Sequence, residues 1–161
     1  MWKLENREAF KAVVEDILQD PAVQALGEME QHSKTCSRLD HSVYVAYLSF
    51  LFCRRFGLDH VAAARAGLLH DFFFEGKGDG VRRLWQHPHA ALENAEERYD
   101  LSDLERDIIV KHMWPLTRPL PRHRESFVVS LADKLCAVME MSRLHRVFRV
   151  QRHLAPAAVA A

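Results

Sequence analysis

The sequence predicts an all-α fold, a single-domain bundle of about six or seven helices, on three observations. Apolar residues recur at helical spacing along most of the 161 residues. No stretch sustains the alternation of a half-buried strand, and caps and prolines cut the chain at helix-sized intervals. Phe10, Val13, Val14, Ile17 and Leu18 share one face of an opening helix, and Val45, Leu48 and Phe52 share one face of another.

The boundaries follow in order. Asp20-Pro21 is an N-cap followed by proline at the first helical position, and Gly57 with Asp59 ends one helix and caps the next. Pro88 opens a helix through about Tyr99. Ser102 with Glu105 forms a capping box for a helix to Trp114, where Pro115 stops it. After a turn carrying Pro119 and Pro121, the last helix runs from about Arg124 to Val150, with Phe127, Leu131, Leu135 and Val138 as its inner stripe. Residues 153–161 read as a frayed tail. With no internal repeat and no linker, residues 1–161 read as one domain, large enough to bury roughly two-thirds of the unfolded surface and to hold a rigid polar site.

Lys plus Arg equals Asp plus Glu at 22 each, so no overall charge directs the chain to nucleic acid or to a membrane surface. From Arg118 onward, eight cations (Arg118, Arg122, Arg124, Lys134, Arg143, Arg146, Arg149, Arg152) face three acids (Glu125, Asp133, Glu140). That surplus suits an anionic ligand, but a solvated helix face accounts for it too. Cys36, Cys53 and Cys136 are odd in number and form no CxxC pair, which disfavours a disulfide framework and a thiolate zinc knot. With no signal-like N-terminus and no apolar run near the roughly 20 residues of a membrane span, a cytoplasmic location is expected.

The chemistry lies in the histidines, ten in all. Within apolar helical text, His41 falls in LDHSVYVAYL, His70 in AGLLHDFFF, His87 opens HPHAALENA, and His112 falls in DIIVKHMW. Asp71 and Asp133 lie in equally apolar text, where a carboxylate is costly unless paired or bound to a cation. A divalent metal is the partner these groups could share. Imidazole with carboxylate suits manganese, iron, cobalt or zinc better than magnesium alone. Successive helical residues point about 100° apart, so His70 and Asp71 can grip one ion only near an irregular helix end, or Asp71 reaches a second ion.

A lone His, then His-Asp, then a distant Asp, all on helices, resembles the HD superfamily of metal-dependent phosphohydrolases. His41, His70, Asp71 and Asp133 match its signature in order. The strings LDHSVYVAYLSF, AARAGLLHDFFF, HPHAALENAE, IVKHMWPLT and RESFVVSLADK resemble small stand-alone bacterial HD proteins over about residues 32–139. The resemblance implies the HD-domain fold, with His87 and His112 as the extra ligands of a two-metal branch and Asp71 bridging the ions. His89, two residues from His87, competes for its place. Arg38, three residues before His41, resembles the substrate-contacting Arg of some HD nucleotide hydrolases.

The implied function is hydrolysis of a phosphate ester, in a nucleotide or other small phosphorylated metabolite, by metal-activated water, with Asp71 as bridging ligand and proton acceptor. Two departures leave the substrate unselected. Phe74 stands where HD 5′-nucleotidases place a catalytic Glu, with Glu75 one residue later, and the Gly-Lys and Gly-Tyr-Pro features of cyclic-dinucleotide hydrolases do not occur. Glu75, Lys77 and Asp79 are loop residues near the right place. Two alternatives stay open: a diiron oxygenase resembling inositol oxygenase, which uses the same ligand types, and a non-catalytic nucleotide-sensing HD domain. One ion or two, and a monomer or a homo-oligomer, are equally open.

Overall fold

The computed structural model describes residues 3–33, 36–74, 80–118 and 120–142. In chain order they form α1 (Leu4–Leu18), α2 (Pro21–Gln24) running into a 3-10 turn (Ala25–Glu28), a ribbon of β1 (Glu30–Ser33) and β2 (Cys36–Ser37), then α3 (Arg38–Phe56), α4 (His60–Leu69), α5 (Gly80–Glu96), α6 (Asp103–Lys111) and α7 (Arg124–Met141). The fold is all-α. The antiparallel ribbon, Glu30 opposite Ser37 and Ser33 opposite Cys36, is too short to leave an alternation in the sequence.

Local chemistry sets most boundaries. Asp20 Oδ1 accepts from the Ala22 amide at 2.8 Å and starts α2. Gly57 ends α3 with φ +67°, which a glycine adopts without the Cβ clash other residues meet. Asp59 Oδ1 accepts from the Val61 and Ala62 amides and starts α4. Reciprocal capping boxes start α3, between Ser37 and Asp40, and α6, between Ser102 and Glu105.

Three expectations need correction. Pro88 does not open a helix: α5 begins at Gly80 and carries Pro88 inside, giving up one main-chain bond, and it ends at Glu96 rather than Tyr99. α6 stops at Lys111, short of Trp114, because His112 to Leu116 leave the helix in a run of turns. The expected inner stripe of the last helix faces outward: Leu131 is 70% exposed and Val138 61%, with Phe127 and Leu135 also on the outside. The inward side of α7 is Ser126, Val129, Ser130, Ala132, Asp133, Cys136 and Glu140. The continuation of this helix to Val150 and the tail at 153–161 lie outside the described residues.

α3 runs through the core, buried from His41 to Phe50. On one side α1 meets it through Phe10, edge-on to Tyr47 at 5.2 Å and to Phe50 at 5.7 Å. On another α4 packs so closely that a Cβ on Gly67 would lie 3.0 Å from Ala46 Cα. Arg65 ties α1 to α6 through Asp16 at 2.9 Å and Glu105 at 3.2 Å. The three cysteines are buried free thiols, and among the described residues no helix is long and apolar enough to cross a membrane.

Candidate metal centre

The close packing of α3 on α4 sets His41 beside the end of α4, and that end is irregular in a useful way. His70 is the last residue in helical conformation, while Asp71 sits in the following turn, where the Phe72 amide returns to Leu69 O and the Phe73 amide to Asp71 O. The turn breaks the 100° stagger of successive helical residues, so the two side chains address one point.

Helix ends also fix the imidazoles. Nδ1 of His70 lies 2.7 Å from Gly67 O, and Nδ1 of His112, the residue ending α6, lies 2.8 Å from Ile109 O. A carbonyl only accepts, so each Nδ1 donates its proton there and each ring turns its Nε2 inward. Carbonyls left unpaired by the last helical turn thus do the work of orienting ligands.

His41, wholly buried, has Nε2 at 3.1 Å from Asp133 Oδ1 and Nδ1 at 3.0 Å from Glu140 Oε1. Asp133 Oδ1 lies 3.8 Å from His70 Nε2. Asp71 divides its oxygens: Oδ1 faces His87 Nε2 at 3.5 Å and His112 Nε2 at 3.6 Å, while Oδ2 faces His70 Nε2 at 3.6 Å. Three overlapping triplets result, His41–His70–Asp71, His70–His112–Asp133 and Asp71–His87–His112, each with donor atoms within 4.8 Å of one another. The structure therefore brings all six sequence-predicted ligands together, from α3, the end of α4, α5, the end of α6 and α7.

The arrangement fits divalent cations on two counts. His70 Nε2 and Asp71 Oδ1 are buried without a hydrogen-bond partner among the described residues, a costly state that an ion would relieve. The Nε2 atoms of His87 and His112 are 3.0 Å apart, within the roughly 2.9–3.4 Å expected for two nitrogens sharing one ion at about 2.0–2.1 Å.

The electrostatics agree. Burial alone would push the carboxyl of Asp71 up, but His70, His112, His87 and His41 around it win and hold it well below the usual carboxylate range. Asp133 behaves alike: burial opposes ionisation, and His41, His70 and Lys134 overcome it. His112 is pushed down to about 3 by burial and by His70, and so stays neutral and ready to ligate. His41 is pushed up to about 10: burial favours its neutral form, but the hydrogen bonds it donates to the Asp133 and Glu140 carboxylates outweigh that. Without an ion, His41 supplies the positive charge the carboxylates require.

Three contributors stand outside the six residues that the sequence singles out as ligands; of these Lys134, beside Asp133, reads in the sequence as solvated or in an ion pair, and the structure gives it the ion pair. Glu140, 1% exposed, backs His41 across 99 residues of chain and reads in the sequence as one more acid of the last helix. Gln31, on β1, donates to Asp71 Oδ2 at 2.7 Å. Lys134 reaches back along α7 to Asp133 Oδ2 at 2.9 Å. Spacing offered no signal for Glu140 or Gln31, whose partners are remote.

Arg38 is fully buried, with Nη1 donating to Phe73 O at 2.7 Å, Nε donating to Gln31 Oε1 at 3.1 Å and its guanidinium 4.0 Å over the Phe73 ring. It thus stands behind Gln31, one hydrogen bond removed from Asp71. His89 is exposed, while His87 reaches the cluster. His60 packs on Phe50, His123 is exposed, and Lys111 pairs with Asp107. Arg118 and Arg122 are exposed. Glu75, Lys77, Asp79, His145, His153 and the side chain of His32 lie outside the described residues.

Comparison with known proteins gives a consistent answer. The model of the HD domain family matches residues 38–138. Ribonuclease Y of Clostridium perfringens, in strains SM101, ATCC 13124 and 13, is 44% identical over 54 residues, 34% of this chain. The match covers 10% of the relative, so the chain spans about a tenth of the length of these curated proteins. No solved structure matches significantly.

Proposed function

The chain belongs to the HD domain family, and from that premise we propose that it is a metal-dependent phosphohydrolase that cleaves the phosphate ester of a nucleotide or other small phosphorylated metabolite. Family members are typically hydrolases of this kind. The observation that carries the reading is Asp71, whose oxygens face different histidines, Oδ1 toward His87 and His112 and Oδ2 toward His70. One carboxylate addressing two donor sets is the layout for two adjacent ions.

Bound manganese, iron, cobalt or zinc would be held by His41, His70, Asp71, His87, His112 and Asp133, and would supply Lewis acidity and an acidified water as nucleophile. The chain's own residues do the rest. His70 and His112 keep Nε2 aimed inward by donating Nδ1 protons to backbone carbonyls. Glu140 holds His41, and Gln31, held in turn by Arg38, fixes Asp71 Oδ2. Asp71 Oδ1, without a hydrogen-bond partner among the described residues, would be the oxygen suited to accept a proton from water.

The test is elemental analysis of protein purified without added metal, paired with hydrolysis of a phosphomonoester, a nucleotide panel and, because the relatives are named ribonucleases, an RNA oligonucleotide. The expected result is about two ions per chain and hydrolysis that Asp71→Ala abolishes. Two irons with redox-sensitive spectra and no hydrolysis would favour the oxygenase, which draws on the same ligands. A chain that takes up no metal would refute the catalytic reading in favour of a sensor.

A further inference from the structure

Lys134 follows Asp133 on α7, and helix geometry turns its Cβ away from the centre. Its long stem folds back nonetheless. Nζ donates to Asp133 Oδ2 at 2.9 Å and to His112 O, bridging two residues of the ligand set. Among the described residues it is the one Lys or Arg whose charged end contacts a ligand carboxylate. Its side chain is 27% exposed, against 10% for Asp133 and for His87 and 7% for Asp71. Of these four side chains, Lys134 is therefore the one most open to solvent.

An ammonium has three protons to donate. Two are committed, and the nearest partner for the third is Met113 Sδ at 4.0 Å, a weak acceptor that any phosphate oxygen would displace. The charge balance points the same way. An ion held by Asp133 Oδ1 would take up most of that carboxylate's charge, which loosens the claim of Asp133 Oδ2 on Lys134 and leaves the ammonium free to pair with a second anion.

We propose that Lys134 is the substrate-phosphate contact of this centre, donating to a phosphoryl oxygen of the bound ester while Asp133 serves the metal. The inference rests on the phosphohydrolase reading and goes past it by naming the residue that recognises the anion. It also moves that role away from Arg38, whose guanidinium is buried behind Gln31.

Titration of inorganic phosphate into manganese-loaded protein, followed by calorimetry, tests it with no need to know the substrate. Lys134→Met keeps the stem and removes the charge, and Lys134→Arg restores a cation. The expected result is unchanged metal content in both variants, with phosphate affinity reduced roughly tenfold to a hundredfold in Lys134→Met and partly recovered in Lys134→Arg. Unchanged phosphate affinity in metal-replete Lys134→Met overturns the proposal and leaves the hydrolase reading intact. Loss of metal from Lys134→Met overturns it too, because Lys134 would then serve Asp133 alone. Wild-type protein that holds manganese but binds no phosphate counts against the hydrolase reading itself.

Discussion

His41 lies between two carboxylates, Asp133 at Nε2 and Glu140 at Nδ1, and only the first faces the other ligands. The second orients the ring and raises its basicity, a role that typically changes metal affinity by roughly 10–100-fold. Glu140→Gln keeps the shape and an acceptor but removes the charge, so manganese affinity, measured by calorimetry on protein shown by circular dichroism to be folded, should fall within that range. An unchanged affinity would reduce Glu140 to a packing residue. The contrast with the six candidate ligands shows what a sequence can disclose at this scale. His41, His70, His87, His112, Asp71 and Asp133 are conspicuous because polar groups in apolar helical text need a partner. Glu140 satisfies the same need for His41 but sits near the end of its helix beside Met139 and Met141, where an acid reads as solvated.

At the scale of elements, α7 reverses the rule by which its inner face was sought. A helix buries its apolar stripe when it packs on an apolar neighbour. Here its inner face meets polar partners, Asp107 for Ser126, the Trp114 carbonyl for Ser130 and His41 for Asp133 and Glu140, so these turn inward with Val129, Ala132 and Cys136 between them, while Leu131 and Val138 face out. The periodicity was legible and its phase was not, because the phase is set by residues on other helices. Caps, by contrast, act within a few residues, and Asp20, Asp59 and Ser102 stand where their sequence places them. The α3–α4 contact belongs to this scale as well. Gly67→Ala would set a Cβ 3.0 Å from Ala46 Cα and 3.4 Å from its amide nitrogen, contacts with backbone that cannot swing aside. The two helices must part by a few tenths of an ångström, at a cost of about 1–3 kcal/mol by the usual scale of overpacking. Because Gly67 O also holds the ring of His70, the change should lower both the urea midpoint and metal affinity. A midpoint equal to wild type would mean that the contact is slack.

For the whole molecule, the charges gathered in the centre couple folding to protons and to metal. His112, pushed down to about 3 from 6.5, is neutral when folded but takes up a proton in the unfolded chain below about pH 6.5, so stability is lost as pH falls from there. Asp71 and Asp133, both depressed from 3.8, extend the loss at lower pH. His41 acts with the opposite sign. Its folded value of about 10 exceeds the ordinary 6.5, so its contribution is complete below about 6.5 and is lost as pH rises through about 10. Metal-free protein should therefore be most stable near pH 6.5, with urea midpoints falling on both sides. A divalent ion held by His41 Nε2 would take the place of its proton as the cation between the carboxylates, so loading should raise the midpoint by mass action and flatten the alkaline limb. The same exchange should release about one proton per chain from His41 at neutral pH, seen as a calorimetric heat that scales with buffer ionisation enthalpy. Denaturation series run with chelator and with manganese across this range decide the matter. An alkaline limb equally steep in both would mean that His41 keeps its proton beside the metal and is not a ligand.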